Sequence, residues 1–192
     1  MSFAFQLTLR QIILGLFLTA ASGVLPILLA QAAKAQSVTD NLQIQATVKA
    51  SCKISSVTNI NFGTYDALGT HYTTPLDSQG SVSVSCLPKV KASIQLEKGL
   101  YPIAGSTCTA PARQMKGPSA TALLPYGLFQ DAARTQTWGC TAATGVDYTA
   151  ASAAATSFDI YGRIPAANSM LGILDTLEPG AYSDTVQIVV SF

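Results

Sequence analysis

The sequence has few of the residues that most often carry catalytic or metal chemistry. Its 192 residues include one histidine and four cysteines, and only 11% of them are charged. No C-x-x-C pair is present, which argues against a zinc site with paired short spacings. A G-x-S-x-G nucleophile turn, a glycine-rich phosphate loop and a calcium-binding loop are also missing. These absences predict a protein that is not an enzyme and that binds no cofactor or metal.

The residues that could still build a catalytic site show no pattern that groups them. His71 lies in a loop-like stretch, and as a general base it would need a nucleophile and an orienting partner. Glycoside hydrolysis needs a pair of carboxylates, but nothing in the sequence pairs any two of the candidates. These candidates are Glu97, Asp131, Asp159, Asp175 and Asp184. Solvated turns and strand ends account for most of them.

The first 35 residues have the layout of an export signal. Arg10 precedes an apolar run from Ile12 to Leu29, and an A-x-A cleavage pattern ends at Ala35. Cleavage there would make Gln36 the first mature residue and leave 157 residues, a length that suits one domain. A retained membrane anchor is the alternative, because the run is nearly long enough to span a bilayer.

Charge and cysteine content support an exported protein without a nucleic-acid partner. Removing Arg10 and Lys34 with the signal leaves nine basic and ten acidic residues, a net charge of −1. With no basic patch, nucleic acid is not expected as a partner. Outside the cytoplasm, four cysteines predict two disulfides, although three pairings are open. The cysteines are Cys52, Cys86, Cys108 and Cys140.

The remaining chain is typical of an all-β sandwich. Short stretches with period-2 apolar alternation are separated by turn signals, and no long helical stripe occurs outside the signal. The predicted strands cover 58–62, 80–86, 92–96, 123–129, 157–164 and 185–192. Pro125 and Gly127 predict that the fourth of these is bent or lies at an edge. The Ala- and Thr-rich stretch 141–156 is predicted to be a loop or a short helix, and Trp138 to pack in the core.

The clearest alternation lies at the start of the mature chain, in residues 37–52. Its even positions are apolar except Asp40, and its odd positions are polar up to Lys49. This pattern is typical of a half-buried strand. Taken alone, it is best explained as an ordinary first strand of the domain.

Several motifs occur in the order and at the spacing of a known family. They are INFG at 60–63, GSVSVSC at 80–86, RQM at 113–115, YGLFQD at 126–131, RT at 134–135, WG at 138–139, YGRIPA at 161–166 and GAYSDTVQIVVSF at 180–192. Together with Cys52 they cover about 140 residues. The chain resembles the spore coat protein U domain family, which includes subunits of archaic, Csu-type chaperone–usher pili.

The resemblance implies an immunoglobulin-like β-sandwich that lacks its last strand and is completed by a donor strand from a neighbouring subunit. It also implies a disulfide between Cys52 and Cys86, which leaves Cys108 to pair with Cys140. Residues 36–48 would form the donor strand and residues 49–192 the pilin domain. The donor side chains would be Val38, Leu42, Ile44, Ala46 and Val48. Val186, Ile188, Val190 and Phe192 would lie on the C-terminal strand next to the acceptor groove.

The function implied is that of a structural pilus subunit for surface attachment and biofilm formation. Its expected partners are a periplasmic chaperone, an outer-membrane usher and neighbouring pilins. The subunit would pass through the periplasm to the cell surface. Two alternatives remain, which are a secreted, monomeric carbohydrate-binding sandwich and a spore or cyst coat protein.

Overall fold

The computed structural model describes residues 35–192 as a set of antiparallel strands. The strands are β1 (Cys52–Thr58), β2 (Leu76–Cys86), β3 (Lys91–Leu96), β4 (Arg113–Lys116), β5 (Leu123–Phe129), β6 (Val146–Thr149), β7 (Thr156–Ile164) and β8 (Ile188–Ser191). Within this range the helical elements are four single 3₁₀ turns, at Thr70–Tyr72, Ala142–Thr144, Ala167–Ser169 and Ile173–Asp175. The predicted all-β fold is confirmed. None of the helices between residues 35 and 192 is long and apolar enough to cross a membrane.

Two sheets form the sandwich. One has five strands in the order β1-β2-β7-β5-β4, and the other has three in the order β6-β3-β8. Within residues 35–192, β1 pairs only with β2, and β8 pairs only with β3. The chain before β8 is joined to the larger sheet on one side, where Lys116 and Ser183 exchange two backbone hydrogen bonds of 2.9 and 3.0 Å. On the side between β1 and β8 no such ladder joins the sheets in the described part of the chain.

The central strands of the larger sheet follow the predicted alternation. In β2, Val82 and Val84 are completely buried and Cys86 is nearly so, while the serines between them are half-buried. Its partner β7 buries Ile160 and Ile164 in the same core. Each of these strands presents one apolar face to the other sheet, which is what makes the pairing register stable.

Strand β3 departs from simple alternation, because Ser93 and Gln95 are buried along with its apolar residues. The loop 138–145 covers the second face of this strand. The Trp138 indole N–H donates to the Ile94 carbonyl at 2.8 Å, and the Leu96 N–H donates to the Gly139 carbonyl at 3.1 Å. Trp138 is fully buried, which confirms the core position predicted from the sequence.

Several stretches differ from the sequence expectations. The predicted strand 58–62 shares only Thr58 with β1, β4 was not predicted, and the last predicted strand, 185–192, is a strand only over Ile188–Ser191. Strand β5 lies between β7 and β4 and not at an edge. Its ladder with β7 covers only Gly127–Phe129, so Pro125 lies beyond that ladder and its missing N–H removes no hydrogen bond from it. The stretch 141–156 contains strand β6, which pairs with β3 although its sequence shows only weak periodicity.

The described part of the N-terminal segment contributes no strand to the sandwich. Residues 35–51 form neither helix nor strand, because none of them pairs with another strand in the described part of the chain. Residues 35–45 belong to a separate unit from Ala46–Phe192. The predicted export signal, apart from Ala35, lies outside the described residues.

Candidate functional site

An open groove runs along the side of the sandwich between β1 and β8. Its first part, here the strand compartment, has a volume of about 540 Å³ and lies between Val57–Ile60 and the segment Tyr182–Ile188. Its second part, the loop compartment, has a volume of about 740 Å³ and extends between 60–68 and 174–182. Ile60, Phe62, Met115 and Tyr182 line both compartments, so the two parts are continuous. A continuous groove with two long walls has the shape that fits an extended chain.

The floor of the strand compartment is the core itself. Leu96, Leu128 and Ile160 are at most 5% exposed, yet they line the compartment. Val186 and Ile188 form part of its wall and are only half-buried. Core side chains at the base of an open cleft indicate that a strand is missing from the sandwich at this position.

The free edge of β8 adds unpaired backbone groups to this apolar surface. β8 pairs with β3 through the register Ser93–Ser191 to Leu96–Ile188. Its other edge has no strand partner within residues 35–192. Unpaired N–H and C=O groups beside an exposed apolar surface are the features that bind an added strand.

The four C-terminal residues predicted to lie next to the acceptor groove occupy different positions in the structure. Val186 and Ile188 line the groove. Val190 packs against the core cluster. Phe192 lies beyond the end of β8 and is 58% exposed.

A group of polar side chains lies at the rim of the strand compartment. The Tyr126 hydroxyl donates to Oδ2 of Asp184 at 2.6 Å, and Oδ1 of Asp184 accepts the backbone N–H of Leu100 at 2.8 Å. Arg113 lies opposite Tyr126 in the β4–β5 ladder and is 1% exposed. Its guanidinium donates to three carbonyls, those of Leu96 (2.7 Å), Glu97 (2.9 Å) and Trp138 (2.9 Å). Arg113, Tyr126 and Asp184 are called the Asp184 cluster below.

Burial shifts the pKa of Arg113 and of Tyr126 without changing their charge at neutral pH. Desolvation lowers the pKa of Arg113 to about 10, so the guanidinium stays charged. Desolvation, followed by the hydrogen bond to Asp184, raises the pKa of Tyr126 above its usual range. Tyr126 therefore remains a hydrogen-bond donor at every physiological pH.

Sequence comparison assigns this groove-bearing domain to a family. The model of the Spore Coat Protein U domain matches residues 38–189. Protein U of Myxococcus xanthus is 34% identical over 165 residues, which cover 83% of this chain and 88% of that protein. The chain belongs to the Spore Coat Protein U domain family. The resemblance seen in the sequence motifs is thereby confirmed.

A solved structure shares the fold of this Spore Coat Protein U domain. It is the crystal structure of the CsuC–CsuE chaperone–tip adhesion subunit pre-assembly complex from archaic chaperone–usher Csu pili of Acinetobacter baumannii. The matched chain is 25% identical to this one, with a TM-score of 0.50. The match covers 76% of this chain and 40% of the other, so the Spore Coat Protein U domain spans less than half of that chain's length.

Two disulfides hold the Spore Coat Protein U domain together. Cys52–Cys86 joins the first residue of β1 to the last residue of β2. Cys108–Cys140 joins the loop before β4 to the loop that covers β3. Glu97 lies close to both sulfurs of the second pair, but oxidised sulfurs are not thiolates and are poor metal ligands.

Sequence reasoning missed half of the groove. Val57, Ile60 and Phe62 form its β1 side, but none of them is among the groove residues predicted from the sequence. The alternation of Ile60 and Phe62 was a usable signal, because both face the same side of an extended chain. The contact of Tyr126 with Asp184 joins residues 58 positions apart, and no local pattern predicts it. His71, in contrast, has a structural role in its turn, where its Nδ1 accepts the Asp66 N–H at 3.0 Å.

Proposed function

We propose that this chain is a structural subunit of an archaic chaperone–usher pilus. In the proposed fibre, residues 36–48 of one subunit fill the groove of the next and restore the missing strand. The observation that supports this most directly is that one chain combines an open apolar groove with an exposed segment of matching pattern. The Csu complex named above supports the chaperone–usher setting.

The exposed segment has the properties expected of a donor strand. Val38, Leu42, Ile44 and Val48 are 82–97% exposed, and together with Ala46 they alternate with polar residues. At about 1.5–3 kcal/mol per large apolar side chain, their burial would contribute roughly 7–13 kcal/mol before the entropic cost of association. Ladder hydrogen bonds to the free edge of β8 would add to this.

Such a contact propagates, because donor and acceptor are different surfaces of the same chain. A head-to-tail contact of this kind does not close on itself and produces a fibre. Before assembly, the empty groove would need a periplasmic chaperone to cover it, and an outer-membrane usher would export the subunits. The finished fibre would lie on the cell surface and support attachment and biofilm formation.

The proposal is tested with two variants, one that lacks the donor strand and one whose acceptor groove is blocked. Deleting residues 36–48 gives a chain that accepts but does not donate, whereas Val186→Asp in the groove wall gives a chain that donates but does not accept. Each variant alone should form no ladder of heat-sensitive multimers on an unboiled gel. A mixture of the two should form dimers and nothing larger.

Two outcomes would contradict the donor assignment. One is a multimer ladder from the deleted chain as extensive as that of the intact chain. The other is a stable monomer of the intact chain that never exchanges strands, as a monomeric carbohydrate-binding sandwich would behave.

A coat protein is the second candidate function. It is favoured by the 34% identity to Protein U of Myxococcus xanthus. A chaperone and an usher encoded beside the gene would favour the pilus, and localisation of the protein to a spore or cyst surface would favour the coat.

A further inference from the structure

The Asp184 cluster lies where the structure has little else to fix the groove wall. Strand β8 is four residues long and is paired on one side only. The chain before it is held to neighbouring strands by the Lys116–Ser183 bridge and by the Glu97 N–H, which donates to the Gln187 carbonyl at 2.9 Å. Between these two backbone contacts, the hydrogen bonds that hold residues 184–186 in the described part of the chain are those of the Asp184 carboxylate.

Asp184 connects three parts of the domain at this point. Its Oδ2 binds the hydroxyl of Tyr126, which belongs to the five-stranded sheet. Its Oδ1 accepts the N–H of Leu100 in the β3–β4 connection and the N–H of Thr185 at 2.8 Å. Both Asp184 and Tyr126 line the strand compartment. The carboxylate thus connects the larger sheet to the start of the groove wall.

Arg113 binds the end of β3, the strand that pairs with β8. Two of its three acceptors, the carbonyls of Leu96 and Glu97, lie at the end of β3. Leu96 is opposite Ile188 in the β3–β8 ladder. The buried guanidinium binds these carbonyls and so holds the Leu96–Ile188 end of the ladder in place. Leaving a buried charge without its hydrogen-bond partners would be costly.

We propose that Asp184 and Tyr126 are positioning residues for strand insertion, which hold the wall of the empty groove in the arrangement that accepts a donor strand. This inference rests on the proposed function. In the empty domain, β8 has one ladder partner and depends on the cluster. In the filled domain, the donor strand pairs with the free edge of β8, so the cluster contributes less to holding it.

The different role of the cluster in the empty and the filled domain predicts which rate constant of donor-strand binding changes when the cluster is lost. If the cluster keeps the groove in its accepting arrangement, losing it reduces the fraction of chains that can bind, and the apparent affinity falls by that fraction. Association should slow, whereas dissociation from the filled groove should change little. Loss of folded chains would also slow association, so the folded fraction of each variant is measured together with the two rate constants.

The experiment uses the full chain with its own donor disabled by Leu42→Asp and Ile44→Asp. A fluorescent synthetic peptide of residues 36–48 serves as the probe, and its association and dissociation are followed by anisotropy. Asp184→Asn is expected to slow association about tenfold and to leave dissociation within about twofold. Tyr126→Phe, which removes only the hydroxyl, should act in the same direction, and the double variant should lose no more than Asp184→Asn.

Asp131→Asn is the matched control. The Asp131 carboxylate also accepts backbone N–H groups, those of Thr135 (3.0 Å) and Gln136 (2.8 Å), but it does not line the groove. Its substitution should leave peptide association unchanged. Fluorescence of the buried Trp138 checks that each variant is folded, and Tyr126→Phe decides the question if Asp184→Asn does not fold.

The outcomes separate this inference from the function on which it rests. If the donor-disabled chain does not bind the peptide at all, the proposed function fails. If it binds, but Asp184→Asn and Asp131→Asn behave alike or only dissociation accelerates, the positioning role is wrong and the proposed function stands.

Discussion

Replacing Ile44 with alanine gives the most quantitative test of strand donation. Ile44 is 86% exposed in the free chain, so its whole side chain is available for burial in a neighbour. Truncating a buried isoleucine to alanine costs about 2–4 kcal/mol, from lost transfer energy and the cavity left behind. The donor segment should therefore bind the groove about 30- to 700-fold more weakly.

The assay is competition between peptides for the donor-disabled chain defined above. Peptides of residues 36–48 with and without Ile44→Ala compete with the labelled probe, and the ratio of the two inhibition constants gives the cost directly. Gln45→Ala, which changes the adjacent residue on the polar face, should alter binding less than threefold. In the full chain, Leu171→Ala controls for the loss of an exposed leucine that does not line the groove.

Equal effects of Ile44→Ala and Gln45→Ala would refute the reasoning. They would show that the period-2 pattern does not determine which face of the segment is buried. A cost well below 1 kcal/mol for Ile44→Ala, with Gln45→Ala neutral, would place Ile44 at the end of the inserted strand.

Three further changes test the domain itself. Replacing Cys108 and Cys140 together by serine, which opens a 32-residue separation, should cost about 3–4 kcal/mol in denaturant unfolding. Gly80→Ala should cost about 1–3 kcal/mol in the same assay, because a Cβ there would lie 2.5 Å from the Thr58 carbonyl oxygen. Hydrogen bonds from Arg163, with the charge of Arg134 nearby, hold the pKa of Asp77 below its usual range. Asp77 therefore stabilises the fold above about pH 4 and ceases to do so as acid protonates it. The Tm difference between the wild type and Asp77→Asn should be present at about pH 6 and shrink progressively as the pH falls below about 4.

Each of these has a clear contrary result. Unchanged denaturant midpoints after loss of the second disulfide would show that the loop it closes is already ordered in the unfolded chain. A fully stable Gly80→Ala would show that β1 moves away from β2 at no cost. A Tm difference for Asp77→Asn that persists at low pH would assign its effect to packing and not to the ion pair.

The sequence predicted the strands whose side chains alternate between apolar and polar residues, and it did not predict the strands that lack this local pattern. Strands β2, β3 and β7 were found because their side chains alternate along the chain, as in Val82 and Val84. β4 was missed because its first residue, Arg113, is buried through hydrogen bonds and not through apolar character. β6 was missed because its core contacts are made by Val146 and Tyr148 alone, within an Ala- and Thr-rich stretch.

The candidate site shows the same limit. Alternation was enough to assign Val186 and Ile188 to one face of the last strand, and both line the groove. The opposite wall depends on Ile60 and Phe62, which follow β1. Their alternation is a usable signal for a strand, but it spans only residues 60–62 and does not by itself indicate a groove. The Asp184 cluster joins three elements that are distant in the sequence, so its existence depends on strand order.

The sequence by itself determined the fold class, the main core strands and the apolar pattern of residues 36–48, because periodicity is a property of neighbouring residues. Only the tertiary structure decided that the sandwich is open between β1 and β8, that core residues such as Leu96 and Ile160 line the groove there, and that Tyr126 donates to Asp184 beside one wall. An open side arises from which strands pair and which remain unpaired. That is a relation between distant segments, which no single stretch of residues encodes.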